Sequence, residues 1–180
     1  MSAEPTDADR VVVRPARHDD VDQLLDLLET VAGEGRWIGT EAPVDREARS
    51  RQISETVEGN ERAARFVAEA VDALVGNLWI DLRAYGVADL GMLVAREWRG
   101  RGVGSALMEA GIAWAREAGS HKVVLQLWPH NHAALALYRK FGFVQEGLLR
   151  RHYPRRNGEL WDALVMGLVL DEHSPGSSIS

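Results

Sequence analysis

Apolar residues along this chain recur either at every second position or at every third and fourth position. The first spacing predicts strands, and the second predicts helices with one buried face. Val21, Leu24 and Leu28 keep the helical spacing, and Gly33 is expected to end that helix. The predicted strands cover residues 11–14, 65–70, 73–83, 88–95, 122–127, 143–153 and 159–170, and the predicted helices cover residues 19–33, 45–58, 103–118 and 131–141.

The order of these elements, βα(α)βββαβαββ, predicts one α/β domain. The central predicted strands are apolar on both faces, which is typical of a sheet covered by helices. We assign the domain to residues 10–171 and expect flexible tails at residues 1–9 and 172–180, where polar residues dominate. We expect a bulge at Gly76 in the third predicted strand.

Composition excludes several classes of function. The chain has 180 residues, a net charge of −6 and no cysteine. An acidic surface disfavours nucleic acid as a partner and favours an amine substrate, while the lack of cysteine excludes thiolate metal sites and a cysteine nucleophile. Its histidines lack metal-ligand spacing, so we expect no metal. No apolar run approaches the roughly 20 residues of a membrane helix, and residues 1–10 lack a signal-peptide core. We therefore expect a cytoplasmic protein with no membrane partner.

A glycine-rich turn joins the predicted strand at residues 88–95 to the predicted helix at residues 103–118. Arg99, Gly102 and Gly104 form the pattern Arg-x-x-Gly-x-Gly where that helix begins. Glycines let the backbone approach an anion closely, and the first N–H groups of a helix have no internal partners. The pattern therefore predicts a diphosphate-binding turn, although a glycine turn that only caps a helix would look similar.

The residues expected to bind the diphosphate extend on both sides of the two glycines. The chain lacks Gly-Lys-Ser/Thr, which excludes a P-loop, and Leu107 replaces the third glycine of a dinucleotide-binding turn. The predicted binding residues of this turn are Arg99, Arg101, Gly102, Val103, Gly104 and Ser105.

A second block lies in the predicted helix at residues 131–141. Asn131 occupies the position of a helix N-cap, and Tyr138 belongs to an apolar stripe that by itself would indicate a core aromatic residue. Phe141-Gly142-Phe143 follows, and we expect it to pack the helix end against the next strand. Together the glycine turn and this block resemble the GNAT superfamily of acyl-CoA N-acetyltransferases.

The resemblance implies a GNAT-like fold with a mixed, mostly antiparallel seven-stranded sheet flanked by helices. In that family two strands splay apart and the acyl-CoA lies in the notch between them, which here implies residues 88–95 and 122–127. Backbone groups of Leu93 and Val94 would bind the pantetheine arm and polarise the thioester carbonyl, and Asn131 would both cap its helix and contact the arm. Homodimers are common among relatives, so a homodimer is a further expectation.

The resemblance also suggests the catalytic groups. Tyr138 occupies the position of the family's general acid, which protonates the leaving thiolate of CoA. Asp89 lies where many relatives carry a glutamate that takes the proton of the amine, although a carboxylate at a strand end can simply face solvent. Glu69 and Asp81, on neighbouring predicted strands, are weaker candidates for the same role.

These expectations combine into an N-acetyltransferase that moves an acetyl group from acetyl-CoA to a primary amine by direct attack in a ternary complex. The acceptor would be an amino acid, a polyamine or another small amine, because the stretch from Glu146 to Met166 also resembles relatives that act on such amines. The loop around Trp37 lies where relatives cover the acceptor pocket, and a closed pocket there would favour a small amine over a peptide. A peptide or protein amine, a non-catalytic CoA sensor and an unrelated phosphate-binding α/β module remain alternatives. Trp79 and Trp161 are expected to pack on the sheet. The four arginines of the last predicted hairpin are expected to be exposed or to reach a phosphate: Arg150, Arg151, Arg155 and Arg156.

Overall fold

The computed structural model describes residues 11–57, 61–71 and 73–170. Within those residues, seven strands and four helices follow one another in the predicted order. The expected tails and the end of the second predicted helix lie outside the described residues. The strands are β1 Val12–Pro15, β2 Ala63–Ala70, β3 Ala73–Leu82, β4 Val87–Val94, β5 Lys122–Leu127, β6 Val144–Pro154 and β7 Leu160–Val169, and the helices are α1 Val21–Gly33, α2 Arg46–Val57, α3 Val103–Glu117 and α4 His132–Lys140.

All seven strands belong to one sheet in the order β1-β2-β3-β4-β5-β7-β6. The pair β4–β5 is parallel, and every other neighbouring pair is antiparallel. The mixed, mostly antiparallel seven-stranded sheet expected from the sequence is therefore confirmed. None of the helices in the described part of the chain is long and apolar enough to cross a membrane.

The two central strands separate after a short stretch of pairing. β4 and β5 are in register only from Val87 opposite Lys122 to Asp89 opposite Val124. Beyond that point β5 stays paired with β7, while β4 stays paired with β3. The predicted splay is confirmed, and it leaves one edge of the last five residues of β4 without a strand partner.

Small residues let α3 lie close to one face of the sheet. A Cβ at Gly76 of β3 would approach Leu107 Cδ1 to 2.9 Å, and one at Gly111 of α3 would approach Leu78 to 3.0 Å. Leu107 and Leu78 are completely buried at this contact. The expected bulge lies beside Gly76, because β2 and β3 shift register there and leave Val75 as the extra residue. The helix that follows the glycine turn is thereby fixed against the sheet.

The opposite face of the sheet is covered by α1 and α2. Leu24, Ile53 and Val67 form a buried cluster there with parts of α2 and β3. Asp45 begins α2 as predicted, since its Oδ1 accepts a hydrogen bond of 3.0 Å from the N–H of Ala48. These contacts place the C-terminal end of α1 beside the open edge of β4.

A buried carboxylate fixes the start of α1. Asp20 is 4% exposed, and its two oxygens accept hydrogen bonds of 2.7 and 2.9 Å from the guanidinium of Arg14. The N–H of Arg17 donates a third hydrogen bond of 2.7 Å. Arg14 also donates from Nε to Glu69, so this arginine joins α1 to β1 and β2. Loss of the Asp20 charge would leave a buried guanidinium with an incomplete set of partners.

We expect Asp20→Asn to lower the free energy of unfolding by about 2–4 kcal/mol, because removing one partner of a buried ion pair leaves the other unpaired. Chemical denaturation at neutral pH measures this loss, and the exposed neighbour Asp19→Asn serves as the control. The hydrogen bonds from Arg14 lower the pKa of Asp20 below its ordinary value of 3.8. The stabilisation is therefore complete above pH 3.8 and is lost as the pH falls through the lower folded-state pKa. A variant as stable as the wild type at neutral pH would contradict this assignment.

Candidate active site

A cavity of about 670 Å³ occupies the notch between β4 and β5. Its wall also includes the glycine turn before α3, the exposed side of α4 and the loop after α1. Three predicted site residues, Asp89, Arg101 and Val103, do not line this cavity. The predicted site residues that do line it are Leu93, Val94, Arg99, Gly102, Gly104, Ser105, Asn131 and Tyr138.

The glycine turn has the backbone geometry that its sequence predicts. Gly100 and Gly102 have φ angles of +74° and +84°, a region that residues with a Cβ rarely adopt. Gly102 is the N-cap of α3, so the unpaired N–H groups of the first turn begin beside the cavity. A Cβ at Gly104 would approach Leu137 Cδ2 of α4 to 3.0 Å. Helix dipole and free N–H groups together make this turn suited to an anion.

The cations near the glycine turn are arranged differently from the sequence prediction, which named Arg99 and Arg101 as the binding cations. Arg99 donates from Nη1 and Nη2 to the two oxygens of Glu34 at 2.8 and 2.6 Å, so its charge is already paired. Lys140 was not predicted, yet it lines the cavity and its Nζ lies 3.5 Å from Ser105 Oγ. Arg101 lies outside the wall with its guanidinium 5.3 Å from the ring centre of Trp98. Lys140 supplies positive charge at the end of the cavity that faces the glycine turn.

The open edge of β4 forms the side of the cavity next to that turn. Leu93 and Val94 belong to the segment that β5 no longer pairs. The side chain of Leu93 is 5% exposed and packs with Leu27 and Val31 of α1. The carbonyl of Val94 accepts a hydrogen bond of 2.9 Å from Arg99 Nε. A strand edge of this kind can pair with an extended ligand through main-chain hydrogen bonds.

Tyr138 has the features of both a core aromatic residue and a proton donor in the cavity. Its side chain is 6% exposed and its ring lies 5.8 Å from that of Phe143, as expected of a core residue. It also lines the cavity, as a proton donor requires. Burial raises the pKa of Tyr138 to about 12, because the apolar surroundings disfavour the phenolate. The phenol is therefore protonated throughout the physiological pH range.

Asn131 performs the capping role that was predicted for it. Its Oδ1 accepts a hydrogen bond of 3.2 Å from the N–H of Ala134 in the first turn of α4. The residue also lines the cavity. The expected contact with the pantetheine arm stays a prediction.

None of the three carboxylates considered as bases lines the cavity. The side chain of Asp89 is 47% exposed, and one of its oxygens lies 3.4 Å from Arg83 Nη2. Partial burial raises the pKa of Asp89, and Arg83 opposes that rise. Asp81 lies 3.6 Å from the same guanidinium, while Glu69 is engaged by Arg14. Within the described residues, no aspartate or glutamate lines the cavity.

Aromatic side chains surround the end of the cavity away from the glycine turn. Trp37 lines it as expected, and Trp79, which was expected only to pack on the sheet, lines it as well. The Trp79 ring covers Gly91, where any Cβ would overlap it. Tyr153 donates a hydrogen bond of 2.6 Å from its hydroxyl to Gln126 Oε1, and both residues belong to the wall. No sequence signal pointed to Trp79, Gln126 or Tyr153, because they lie on three separate strands.

The expectation that the arginines of the last hairpin are exposed is wrong for one of them. Arg155 is 6% exposed, and its guanidinium carbon lies 4.5 Å from the ring centre of Trp161 and 5.5 Å from that of Trp128. Its Nη1 donates to the carbonyl of Gly39 at 3.1 Å, and its Nη2 lies 3.4 Å from Glu41. Stacking on two indoles replaces water around the charge, which is why this arginine can be buried. It fixes the loop after α1 to the β6–β7 hairpin.

Metal ligands do not accompany this site. The described segments 11–57, 61–71 and 73–170 contain no group of three histidines or carboxylates placed to hold a metal ion. The groups in the wall that can donate a hydrogen bond or a proton include main-chain N–H groups, the hydroxyls of Tyr138, Tyr153 and Ser105, and the cations near the glycine turn.

Comparison with known proteins identifies the class to which this fold and site belong. The sequence profile of the Acetyltransferase (GNAT) family matches residues 24–143, which is more than half of the chain. The chain belongs to this family, and the resemblance inferred from its two motifs is confirmed.

Individual relatives agree with this assignment. The chain is 38% identical over 104 residues to the L-amino acid N-acetyltransferase AaaT of Escherichia coli (strain K12). That alignment covers 53% of this chain and 62% of the relative, so the matched segment spans less than two thirds of the relative's length.

Solved structures cover nearly the whole fold. The crystal structure of the ribosomal-protein-alanine N-acetyltransferase from Brucella melitensis is 27% identical, with a TM-score of 0.79 over 88% of this chain and 99% of its own. The structure of yncA from Salmonella typhimurium with its cofactor acetyl-CoA is 20% identical, with a TM-score of 0.79 over 94% of this chain and 99% of its own. The latter similarity shows the shared fold.

Proposed function

We propose that this protein is an acetyl-CoA-dependent N-acetyltransferase that acetylates the primary amine of a small molecule. The observation that carries the proposal is one continuous cavity bordered by the glycine turn, the unpaired edge of β4 and Tyr138. This arrangement offers an anion site, a strand edge and a proton donor, the three features that would serve the diphosphate, the pantetheine arm and the thioester of acetyl-CoA. Membership of the acetyltransferase family supports the same activity.

The donor would be bound mainly by the main chain. N–H groups at residues 101–105 would donate hydrogen bonds to the diphosphate oxygens, with Lys140 adding charge at the same end of the cavity. The pantetheine amides would pair with the edge of β4 near Leu93 and Val94. An N–H group of that edge would donate a hydrogen bond to the thioester oxygen, on which negative charge develops during attack.

Transfer would proceed by direct attack of the neutral amine on the thioester carbon. A C–N bond forms, the C–S bond breaks, and the proton lost by the nitrogen leaves through a base or water. Tyr138 would donate its proton to the departing sulfur and later regain one from solvent. Because the chain contains no cysteine, the enzyme cannot form a cysteinyl thioester intermediate. Alignment of two bound substrates would supply much of the rate enhancement.

Asp89 is the proposed base and would act through water, because it does not line the cavity. We expect Asp89→Asn to lower kcat/KM about tenfold near neutral pH, where the acceptor is mostly protonated. The deficit should shrink as the pH approaches the amine's own pKa of about 10. A pH–rate profile measures this effect. Asp81→Asn, which removes the other carboxylate near Arg83, is the matched control, and an equal loss in both variants would contradict the assignment.

A small acceptor is favoured over a peptide by the shape of the far end of the cavity. Trp37, Trp79 and Trp128 form walls there, whereas a peptide would need an open groove. The name of the Escherichia coli relative, an L-amino acid N-acetyltransferase, is consistent with an amino acid or another small amine. Cytoplasmic location and a homodimer stay predictions from the sequence.

Calorimetric titration with acetyl-CoA, followed by release of free CoA with a panel of amino acids, polyamines, other amines and peptides, tests the proposal. Binding with turnover on small amines supports it. Turnover restricted to peptides would show that the acceptor is a peptide amine and not a small molecule. Binding without turnover on any amine would favour a CoA sensor, and no binding would refute the donor assignment.

A further inference from the structure

A hydrogen-bonded chain connects the donor end of the cavity with its acceptor wall. Arg99 donates from Nε to the carbonyl of Val94 and from both terminal nitrogens to Glu34. Glu34 also accepts a hydrogen bond of 2.7 Å from the indole N–H of Trp37. One carboxylate thus joins a cation beside the glycine turn to an aromatic residue of the loop after α1, and both of these residues line the cavity.

The carboxylate of Glu34 accepts hydrogen bonds from two partners, Arg99 and Trp37. Oε1 accepts only from Arg99, at 2.6 Å, whereas Oε2 accepts from both Arg99 and Trp37. The Glu34 side chain is 20% exposed and that of Arg99 is 33% exposed, so water screens the pair only in part. The guanidinium lies 5.7 Å from the ring centre of Trp37, which completes a compact cluster.

This cluster has opposite consequences for the two ends of the cavity. Arg99 lines the cavity beside Gly100 and Gly102, yet its charge is neutralised before any diphosphate arrives. An anionic ligand must therefore share the guanidinium with a carboxylate that repels it. Trp37, in contrast, gains a fixed orientation, because its indole N–H donates a hydrogen bond to Glu34.

We propose that Glu34 is a positioning residue that lowers the affinity for the donor and, in exchange, orders the aromatic wall of the acceptor site. This inference rests on the proposed function, since it takes acetyl-CoA as the anion beside the glycine turn. It assigns Glu34 no contact with reacting atoms. Its signature is a pair of effects of opposite sign, which a general structural role would not produce.

Glu34→Gln tests the proposal, because the amide keeps the shape of the side chain but has no charge and one acceptor oxygen in place of two. We expect the Kd for acetyl-CoA, measured by calorimetry, to fall about three- to tenfold as Arg99 becomes available to the diphosphate. The gain should diminish with added salt. Hydrogen exchange of the ligand-free protein should become faster in residues 34–41, because Trp37 and Arg99 must then compete for a single, uncharged acceptor oxygen.

Two control variants separate the contributions. Glu29→Gln removes a negative charge from the same helix, where Glu29 pairs with Arg46, and should change the acetyl-CoA Kd less than twofold. Trp37→Phe removes the indole donor but keeps the Glu34–Arg99 pair, so it should speed exchange in residues 34–41 without tightening acetyl-CoA binding.

The outcomes distinguish this inference from the proposed function. An unchanged or weaker Kd in Glu34→Gln, or unchanged exchange in residues 34–41, overturns the inference alone, provided that the wild type binds acetyl-CoA. Failure of the wild type to bind acetyl-CoA overturns both. Tighter binding in Glu29→Gln of equal size would mean that net charge, and not the Glu34–Arg99 pair, sets the affinity.

Discussion

Replacing Tyr138 by phenylalanine is expected to lower kcat about 10²–10⁴-fold, the usual contribution of a general acid. Burial raises the pKa of Tyr138 to about 12, so the phenol carries its proton when the thiolate leaves. Because a free thiol has a pKa near ~8.5, full proton transfer is uphill, and the phenol stabilises the departing sulfur by donating a hydrogen bond and then its proton as charge develops. The ring would keep its place beside Phe143, because phenylalanine preserves everything except the hydroxyl. Steady-state release of CoA with the best acceptor of the panel measures the effect.

Binding and folding must be shown to survive this change. The Kd for acetyl-CoA should stay within about twofold of the wild-type value, since no phosphate or pantetheine contact is assigned to the hydroxyl. Phe143→Leu is the matched control, because it disturbs the packing of the Tyr138 ring while keeping the proton donor. If Tyr138→Phe retained full activity, or if Phe143→Leu lost as much, Tyr138 would be a packing residue.

Gly102→Val is expected to weaken acetyl-CoA binding at least about 100-fold. The φ angle of +84° at Gly102 costs a β-branched residue roughly 1–2 kcal/mol or more, so the turn would relax to another conformation. Each charge-assisted hydrogen bond to the diphosphate is worth about 1.5–3 kcal/mol, and misdirecting two of them accounts for the loss. Calorimetric titration with acetyl-CoA measures it.

Gly119 provides a control at the other end of the same helix. Its φ angle is +73°, and a Cβ there, as at Gly102, would meet no atom within 4 Å. Gly119→Val should therefore lose a similar amount of stability by thermal denaturation but keep the wild-type Kd. Equal weakening of binding in both variants would show that strain in α3, and not the diphosphate turn, is responsible.

The order and type of the elements could be predicted from the sequence because local signals agreed with one another. The spacing of Val21, Leu24 and Leu28 and the glycine after them predicted α1 without knowledge of any distant contact. The glycine turn could be located for the same reason, since Arg99, Gly102 and Gly104 are neighbours in the chain. The splay between β4 and β5 came from resemblance to a family rather than from periodicity, which cannot show where pairing stops.

Residues whose role depends on distant partners could not be found in this way. Glu34 and Arg99 are separated by 65 positions, and nothing in the sequence near either one indicates the pair. Arg155 was expected in solvent because arginine usually is, but Trp128 and Trp161, from two other segments, enclose it. Trp79 lies in a segment whose pattern indicates only a strand. Its ring can cover the opposite residue on β4 because that residue is Gly91, which has no Cβ to block it.

The short pairing between β4 and β5 has a consequence for how the molecule unfolds. Within the sheet, three residue pairs join the strands β1 to β4 to a second group formed by β5, β7 and β6, while the main core packs across both groups. The notch lies between these two groups of strands, so a ligand bound there would contact β4 and α3 on one side and α4 on the other. We expect bound acetyl-CoA to contact both groups of strands, so that they unfold more cooperatively. At a concentration of 100 Kd it should raise the free energy of unfolding by about 2.7 kcal/mol. The notch that is proposed to bind acetyl-CoA is thus also the place where two groups of strands share only a short stretch of pairing.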